Sequence, residues 1–448
     1  MSQEIRNLEP KALWNQFADL NAVPRPSKKE EQVIQFMKDF GNRLGLETFE
    51  DEIRNVIIRK PATPGMENRK PIVLQGHLDM VHQKNNDTVF DFETQGIEMY
   101  VDGDWVRAKG TTLGADNGLG VAAIMAVLES TDIPHPAIEA LFTIDEETGM
   151  TGALNLQGGI LQGQILLNLD TEEDDEIDIG CAGGIDVTAT AEYDEEDTPE
   201  GSVGYSITVK GLQGGHSGMD IHKGLGNANK IMNRLLFDGF DNFGLQIASI
   251  AGGSLRNAIP RESVAKVIIA AVYDEAFVFD MQQIVNEIKA EFKTTEPNLE
   301  IVFEKLTEVP AKVMPSIAQF YFVRSMYTAH NGVYRMSADF DNLVETSNNI
   351  AKVIVGEGQL AVQCLTRSSV ESSKMDLANA LRSAFELMGC EVEFSGAYPG
   401  WTPNPKSEIL DVLVGIYEKQ NNAKPNVVAC HAGLECGILG TNYPEMDM

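Results

Sequence analysis

Three short runs constrain this chain most: IVLQG at 72–76, ALFTI at 140–144 and ILLNL at 165–169. Each is apolar almost throughout, is bounded by Gly, Pro or charge, and is too short for an ordinary helix. A strand with one wet face alternates polar and apolar residues. A run that does not alternate has to be buried on both faces, as strands of a parallel sheet are. Between the first two runs lies GLGVAAIMAVLES (118–130), apolar nearly all round, as a helix packed on such a sheet must be. This alternation predicts an α/β layout with a mainly parallel sheet.

The same runs end in residues that bind metal ions. His77 and Asp79 follow the first, Glu146 and Glu147 the second, and Asp170 the third. In an open parallel sheet, ligands bind beyond the carboxyl ends of the strands, so these residues are expected to converge on one crevice. The H-x-D spacing puts His77 and Asp79 on one face, where Asp79 can accept the second imidazole N–H and fix the tautomer. Asp116, in TTLGADNGLGVAA, follows a Gly-containing loop and opens a helix. A carboxylate at such a turn can bridge two metal ions, and the glycines allow close approach of the backbone. Imidazole and carboxylate ligands together suit zinc, cobalt or manganese. A lone H-x-D is usually no metal site, and a lone Glu-Glu pair is usually a solvated turn. Four such pieces in this order, each ending a buried strand or opening a helix, make a metal site hard to dismiss.

At 448 residues the chain exceeds the size of a single core, so two domains are expected. The first part, 1–185, carries the predicted sheet, preceded by helices at 9–21 and 27–45; Ser27 and Glu30 stand at the capping-box spacing before the second. From 186 to 395 alternating strands (YSITVKG, 205–211; VAKVIIAAV, 264–272) mix with amphipathic helices (MQQIVNEIKAEF, 281–292), which predicts an α+β domain inserted into the first. Acidic runs at 172–178 and 193–200 read as solvated linkers. After 395 a helix (407–420) and a short strand (426–430) read as a return to the first domain. The 35 Lys+Arg against 67 Asp+Glu leave a formal charge of -32. That charge argues against nucleic acid and anionic membranes as partners. The N-terminus has no apolar segment of a targeting peptide, and no stretch approaches the roughly 20 apolar residues of a membrane span. The five scattered cysteines read as reduced core residues, which with the missing leader predicts a cytoplasmic protein.

Together QGHLDMV, GADNGLGVA, IDEETGM and NLDTEE resemble the cytosolic dizinc peptidases and deacylases, the family of aminoacylase, carboxypeptidase G and peptidase T. The longer WVRAKGTTLGADNGLGVA and the late HAGLECGIL look most like the aminoacyl-histidine (Xaa-His) dipeptidase branch. The resemblance implies a catalytic domain of 1–185 and 396–448 interrupted by a lid domain, with two divalent ions, zinc first and cobalt or manganese as alternatives. It implies Asp116 as the bridging ligand, His77 and Asp170 on one metal, and Glu147 on the other. Glu146 matches the general base, and Asp79 counts with it as catalytic. In the lid, GLQGGHSGMDIH places His216 as oxyanion donor, and Asn257 in IAGGSLRNAIPRES faces substrate. Arg367 is the candidate for a substrate carboxylate, and His431 in HAGLECG falls near the site. The implied reaction is hydrolysis of dipeptides with a free N-terminus, Xaa-His or β-alanyl-histidine, by a homodimer. The alternatives are a deacylase or tripeptidase of the same chemistry, or a non-catalytic peptide-binding relative. One departure stands out: the family's last ligand is a histidine near the C-terminus, and this sequence reaches Met448 without a match. The expectation is therefore a truncated final segment with an incompletely held second metal.

Overall fold

A computed structural model describes residues 3–85, 87–171, 173–340 and 342–448. Glu172, the first residue of the acidic run 172–178, lies outside them. The chain divides into two units: Met1–Ile179 with Asn404–Val428 and Glu435–Met448, and Gly180–Pro403 with Ala429–Leu434.

In the first unit, helices α1 (Lys11–Leu20) and α2 (Glu31–Arg43) precede the sheet. The capping box expected of Ser27 and Glu30 does not form. Lys28 turns the chain with a φ of +67°, so both side chains reach elsewhere. The Ser27 hydroxyl donates to the Met80 carbonyl, and Glu30 Oε1 accepts from the Lys28 and Asp145 amides.

Strands β1 (Glu47–Glu50), β2 (Val56–Lys60), β3 (Ile72–His77), β4 (Ile138–Thr143) and β5 (Ile165–Asn168) form a sheet in the order β1-β2-β4-β3-β5. The predicted strands β4, β3 and β5 are parallel; β2 joins β4, and β1 joins β2, antiparallel. Ala140, Leu141 and Phe142 are consecutive and fully buried, so both faces are covered. Helix α3 (Ala115–Glu129) covers one of them with Val121, Ile124, Met125 and Leu128. Each such side chain contributes about 1.5–3 kcal/mol on burial. Asp116 and Asn117, at its start, are non-helical, which turns them out of the helix toward the strand ends.

The second unit carries an antiparallel sheet of β6 (Gly183–Glu192), β7 (Ser202–Lys210), β8 (Gln246–Gly252), β9 (Ser263–Ala270), β10 (Glu300–Lys305), β11 (Val344–Gly356), β12 (Gln359–Ser368) and β13 (Glu391–Tyr398). Their order is β10-β7-β9-β8-β11-β12-β6-β13. Inward residues such as Tyr205, Ile207 and Val209 alternate with wetter ones. They meet apolar residues of α4 (Ala228–Phe243), α5 (Asp274–Glu291), α6 (Ser316–Thr328) and α7 (Glu371–Glu386) in one core. The first half of β11 breaks this pattern: Glu345, Thr346, Ser347, Asn348 and Asn349 are all polar and all buried.

Helix α8 (Glu408–Asn421) and helix α9 (Glu435–Asn442) belong to the first unit again. The chain beyond α9 joins the sheet edge, where the Leu166 amide donates to the Asp447 carbonyl at 2.8 Å. Among the described residues no helix is long and apolar enough to cross a membrane.

Candidate metal centre

His77 is the last residue of β3 and is buried. Its Nε2 lies 3.0 Å from Asp116 Oδ1, 3.6 Å from Asp170 Oδ1 and 4.0 Å from Glu146 Oε2. One ligand atom each from His77, Asp116 and Asp170 lies within 4.8 Å of the others. Two ligands about 2.1 Å from one tetrahedral ion stand about 3.4 Å apart, a spacing that these contacts bracket. The donor set therefore fits a divalent cation. Behind the ring, Asp79 Oδ1 is 3.2 Å from His77 Nδ1 and accepts the Glu146 amide at 3.0 Å. Glu147 Oε1 accepts from the Val81 amide at 3.2 Å. Among the described residues, a second group of three metal-capable side chains is Glu30, Asp79 and Asp145, and neither group includes Glu147.

The electrostatics show a centre short of positive charge. Burial alone would lower the His77 pKa, but its carboxylate partners Asp116, Asp170 and Asp79 push it well above the ordinary value. Burial, with Glu435, Asp170 and Glu147 nearby, pushes Glu146 up to about 9 despite His77. Burial likewise raises Glu147 and Asp170, each with Asp116 adding to the rise. Carboxylates crowded this closely resist ionising together, a strain that a divalent cation would relieve, while His77 holds Asp116 and, against burial, Asp79 below the ordinary value.

Several residues without a signal of their own in the sequence support this cluster. Asn117 Nδ2 donates to the Leu169 carbonyl and to Asp170 Oδ1, both at 2.5 Å, and so orients that carboxylate. Glu435, at the start of α9, is fully buried. Its Oε2 accepts from Gln75 Nε2 at 2.5 Å and Thr143 Oγ1 at 2.7 Å, and its Oε1 has no partner among the described residues. Burial pushes its pKa up to about 7. Arg25 is buried as well; desolvation lowers its pKa to about 10, while Asp79, Asp116 and Glu147 work to raise it. The nearest clue to Glu435 is the HAGLECG string, where it stands four residues after His431. Arg25 has no local clue at all.

His216, Arg367 and His431 come together in the second unit. Arg367 Nη1 donates to the Tyr398 hydroxyl at 2.7 Å, and its Nη2 is 3.5 Å from His216 Nε2. His216 Nδ1 accepts from the Gly218 and Met219 amides, which leaves the proton of the neutral ring on Nε2. Burial and the Arg367 charge lower the His216 pKa, and burial with Arg367 and His216 drives His431 down to about 3. His431 Nε2 is 2.8 Å from Ser347 Oγ in the buried polar stretch of β11. Asn257 is exposed, and its carbonyl accepts from the Ser217 amide.

The parallel strands β4, β3 and β5 thus carry at their carboxyl ends, where open α/β sheets bind ligands, an imidazole ringed by carboxylates, a donor set able to hold the metal of a hydrolase. Residues 201–298 match the peptidase dimerisation domain of the M20 family. The chain is 43% identical over 449 residues to the cytosol non-specific dipeptidase of Escherichia coli, covering 99% of this chain and 92% of that one. It superposes on the crystal structure of aminoacylhistidine dipeptidase from Vibrio alginolyticus with a TM-score of 0.92 at 44% identity, over 100% of this chain and 91% of that one. The aminopeptidase PepT of Bacillus cereus shares the fold, with a TM-score of 0.54 at 17% identity over 96% of this chain and 87% of that one. The chain belongs to the M20 peptidases, a family of metal-dependent peptide-bond hydrolases, in the branch of these dipeptidases.

Proposed function

We propose that this protein hydrolyses dipeptides with a free N-terminus, Xaa-His or β-alanyl-histidine among them, at a centre of two divalent ions, zinc first. The observation that carries the reading is the full-length similarity to two dipeptidases, joined to the His77–Asp116–Asp170 cluster. In this reading Asp116 would serve both ions, His77 and Asp170 would help hold one, and Glu147 the other. Bound metal ions would lower the pKa of a water and polarise the scissile carbonyl.

The chain's own residues have separate tasks. Glu146 takes the proton of the attacking water and delivers it to the leaving amine; its carboxylate, 4.0 Å from His77 Nε2 and outside the grouped ligands, is placed beside the centre and free for that task. Asp79 holds the His77 ring and the Glu146 amide together, so base and ligand share one support. His216, with its proton on Nε2, is the proposed oxyanion donor, and the Arg367 guanidinium the proposed partner of a substrate carboxylate. Asn257 and His431 are further substrate-side candidates. We also propose a cytoplasmic homodimer, supported by the dimerisation-domain match and by the cytosolic relative.

The test is metal analysis joined to turnover on a panel of dipeptides, tripeptides and N-acyl amino acids. Metal-dependent cleavage of dipeptides above the other classes is expected. Preference for N-acyl amino acids or tripeptides would overturn the substrate assignment, and no turnover with bound metal would overturn the activity.

A further inference from the structure

We propose that Arg25 is a positioning residue that sets the spacing of the metal ligands. It does so by tying the strand end at 77–79 to the turn at 114–116. The proposal rests on the reading that His77, Asp116 and Asp170 hold metal. Arg25 Nη1 donates to the Leu78 and Asp79 carbonyls at 3.1 and 3.0 Å. Its Nη2 donates to the Gly114 carbonyl at 2.5 Å and to Asn21 Oδ1 at 2.9 Å. Leu78 lies between His77 and Asp79, and Gly114 stands two residues before Asp116. One guanidinium thus grips the backbone beside both ligands. Asn21 completes the clamp, its Nδ2 donating to the Leu113 carbonyl at 3.0 Å.

The cavity is shaped for this group. A Cβ on Gly114 or on Gly118 would sit 2.6 Å from Arg25 Nη2, so two glycines of the GADNGLG string leave room for the guanidinium. The neighbours of Arg25 reach other loops of the centre: Ser27 binds the Met80 carbonyl, and Glu30 accepts the Asp145 amide beside Glu146. A buried cation costs several kcal/mol that an apolar side chain of equal volume would not, so packing alone does not explain an arginine here. A planar fork with several donors matches three carbonyls and an amide oxygen, which a single ammonium cannot satisfy together.

The test compares Arg25→Lys, Arg25→Met and His77→Ala with the unaltered full-length protein. The readouts are metal stoichiometry, affinity by competition with a chromophoric chelator, melting of the metal-free forms, and kcat and KM. Changes to residues that orient ligands cost about 10–100-fold in metal affinity. Both Arg25 variants should show a loss of that order, with kcat falling, KM nearly constant and partial recovery at high metal concentration. Cooperative melting with unchanged metal affinity in Arg25→Lys overturns the proposal and leaves a structural role. If neither Arg25 variant folds, Asn21→Ala, which loosens the clamp, should weaken metal binding in the same sense; unchanged affinity there overturns it as well. If His77→Ala keeps its metal, the ligand reading fails and this proposal with it. If His77→Ala loses metal while Arg25→Lys binds like the unaltered protein, the positioning role alone fails.

Discussion

Glu435→Gln should stabilise the metal-free protein at alkaline pH and do so far less at pH 5. The Glu435 carboxyl is enclosed, with one oxygen bonded to Gln75 and Thr143 and the other without a partner among the described residues. Burial, with Asp170 and Asp79 near, raises its pKa from 4.5 to about 7. An acid whose folded value is raised binds more protons folded than unfolded, so its ionisation costs stability. The cost is absent below pH 4.5, grows as pH rises from there to about 7, and is complete above. Each tenfold gain in proton affinity is worth about 1.4 kcal/mol, so the full effect is on the order of 3 kcal/mol. Glutamine keeps the shape and the acceptor for Gln75 and Thr143 while removing the ionisation.

The assay is urea denaturation of chelator-stripped protein at pH 5 and pH 8.5, followed by fluorescence. Trp14 and Trp105 belong to the unit that carries Glu435, and Trp401 to the other, so exchanging Trp401 for Phe isolates the relevant signal. The variant's advantage should appear between the two pH values. Parallel stability curves for the two proteins would show that Glu435 ionises without cost and that the reasoning from burial is wrong.

Three further outcomes test the centre. Glu146→Gln should keep its metal and lose about 10²–10⁴-fold in kcat, because a proton carrier is removed and no ligand; steady-state kinetics within tenfold of the unaltered protein would reject the assignment. Asp116→Ala should lose both metals and Glu147→Ala mainly one, which metal analysis of the purified variants decides; equal losses would mean that the ligand roles are wrongly divided. His216→Ala should depress kcat more than it raises KM, since an oxyanion donor acts chiefly in the transition state; a pure KM effect would make His216 a ground-state contact.

The parallel strands and the helix over them are legible in the sequence because burial on both faces leaves a mark in composition. Runs such as ALFTI cannot hide an apolar side, and the residues that follow them are aimed at the carboxyl edge by the sheet itself. His77 and Asp170 therefore meet at that edge, and Asp116 joins them from the start of α3. Contacts made across long sequence distances leave no such mark. Ser27 and Glu30 fit a local capping pattern, yet the turn at Lys28 directs them to Met80 and Asp145. The glycines of GADNGLG suggest close approach of the backbone, but not that Gly114 and Gly118 lie against Arg25. The buried polar stretch 345–349 pairs with β12 and meets His431 at Ser347, contacts that no local pattern marks.

The adjacency of Glu146 and Glu147 raises one last physical question: how neighbouring carboxylates come to different surroundings. Their short helix is bracketed by two left-handed residues, Asp145 at φ +52° and Met150 at φ +49°. Each costs about 1–3 kcal/mol and persists only where the surroundings over-determine it. Here they do. The Asp145 carboxylate accepts the hydroxyls of Thr148 and Thr151, and its amide is held by Glu30. Asp79 takes the amides of Glu146 and Glu147. With three successive amides held, the two side chains leave in different directions. Glu146 reaches toward His77, and Glu147 turns to the Val81 amide. The turn held between 145 and 150 thus keeps the proposed proton carrier and the proposed ligand in separate surroundings.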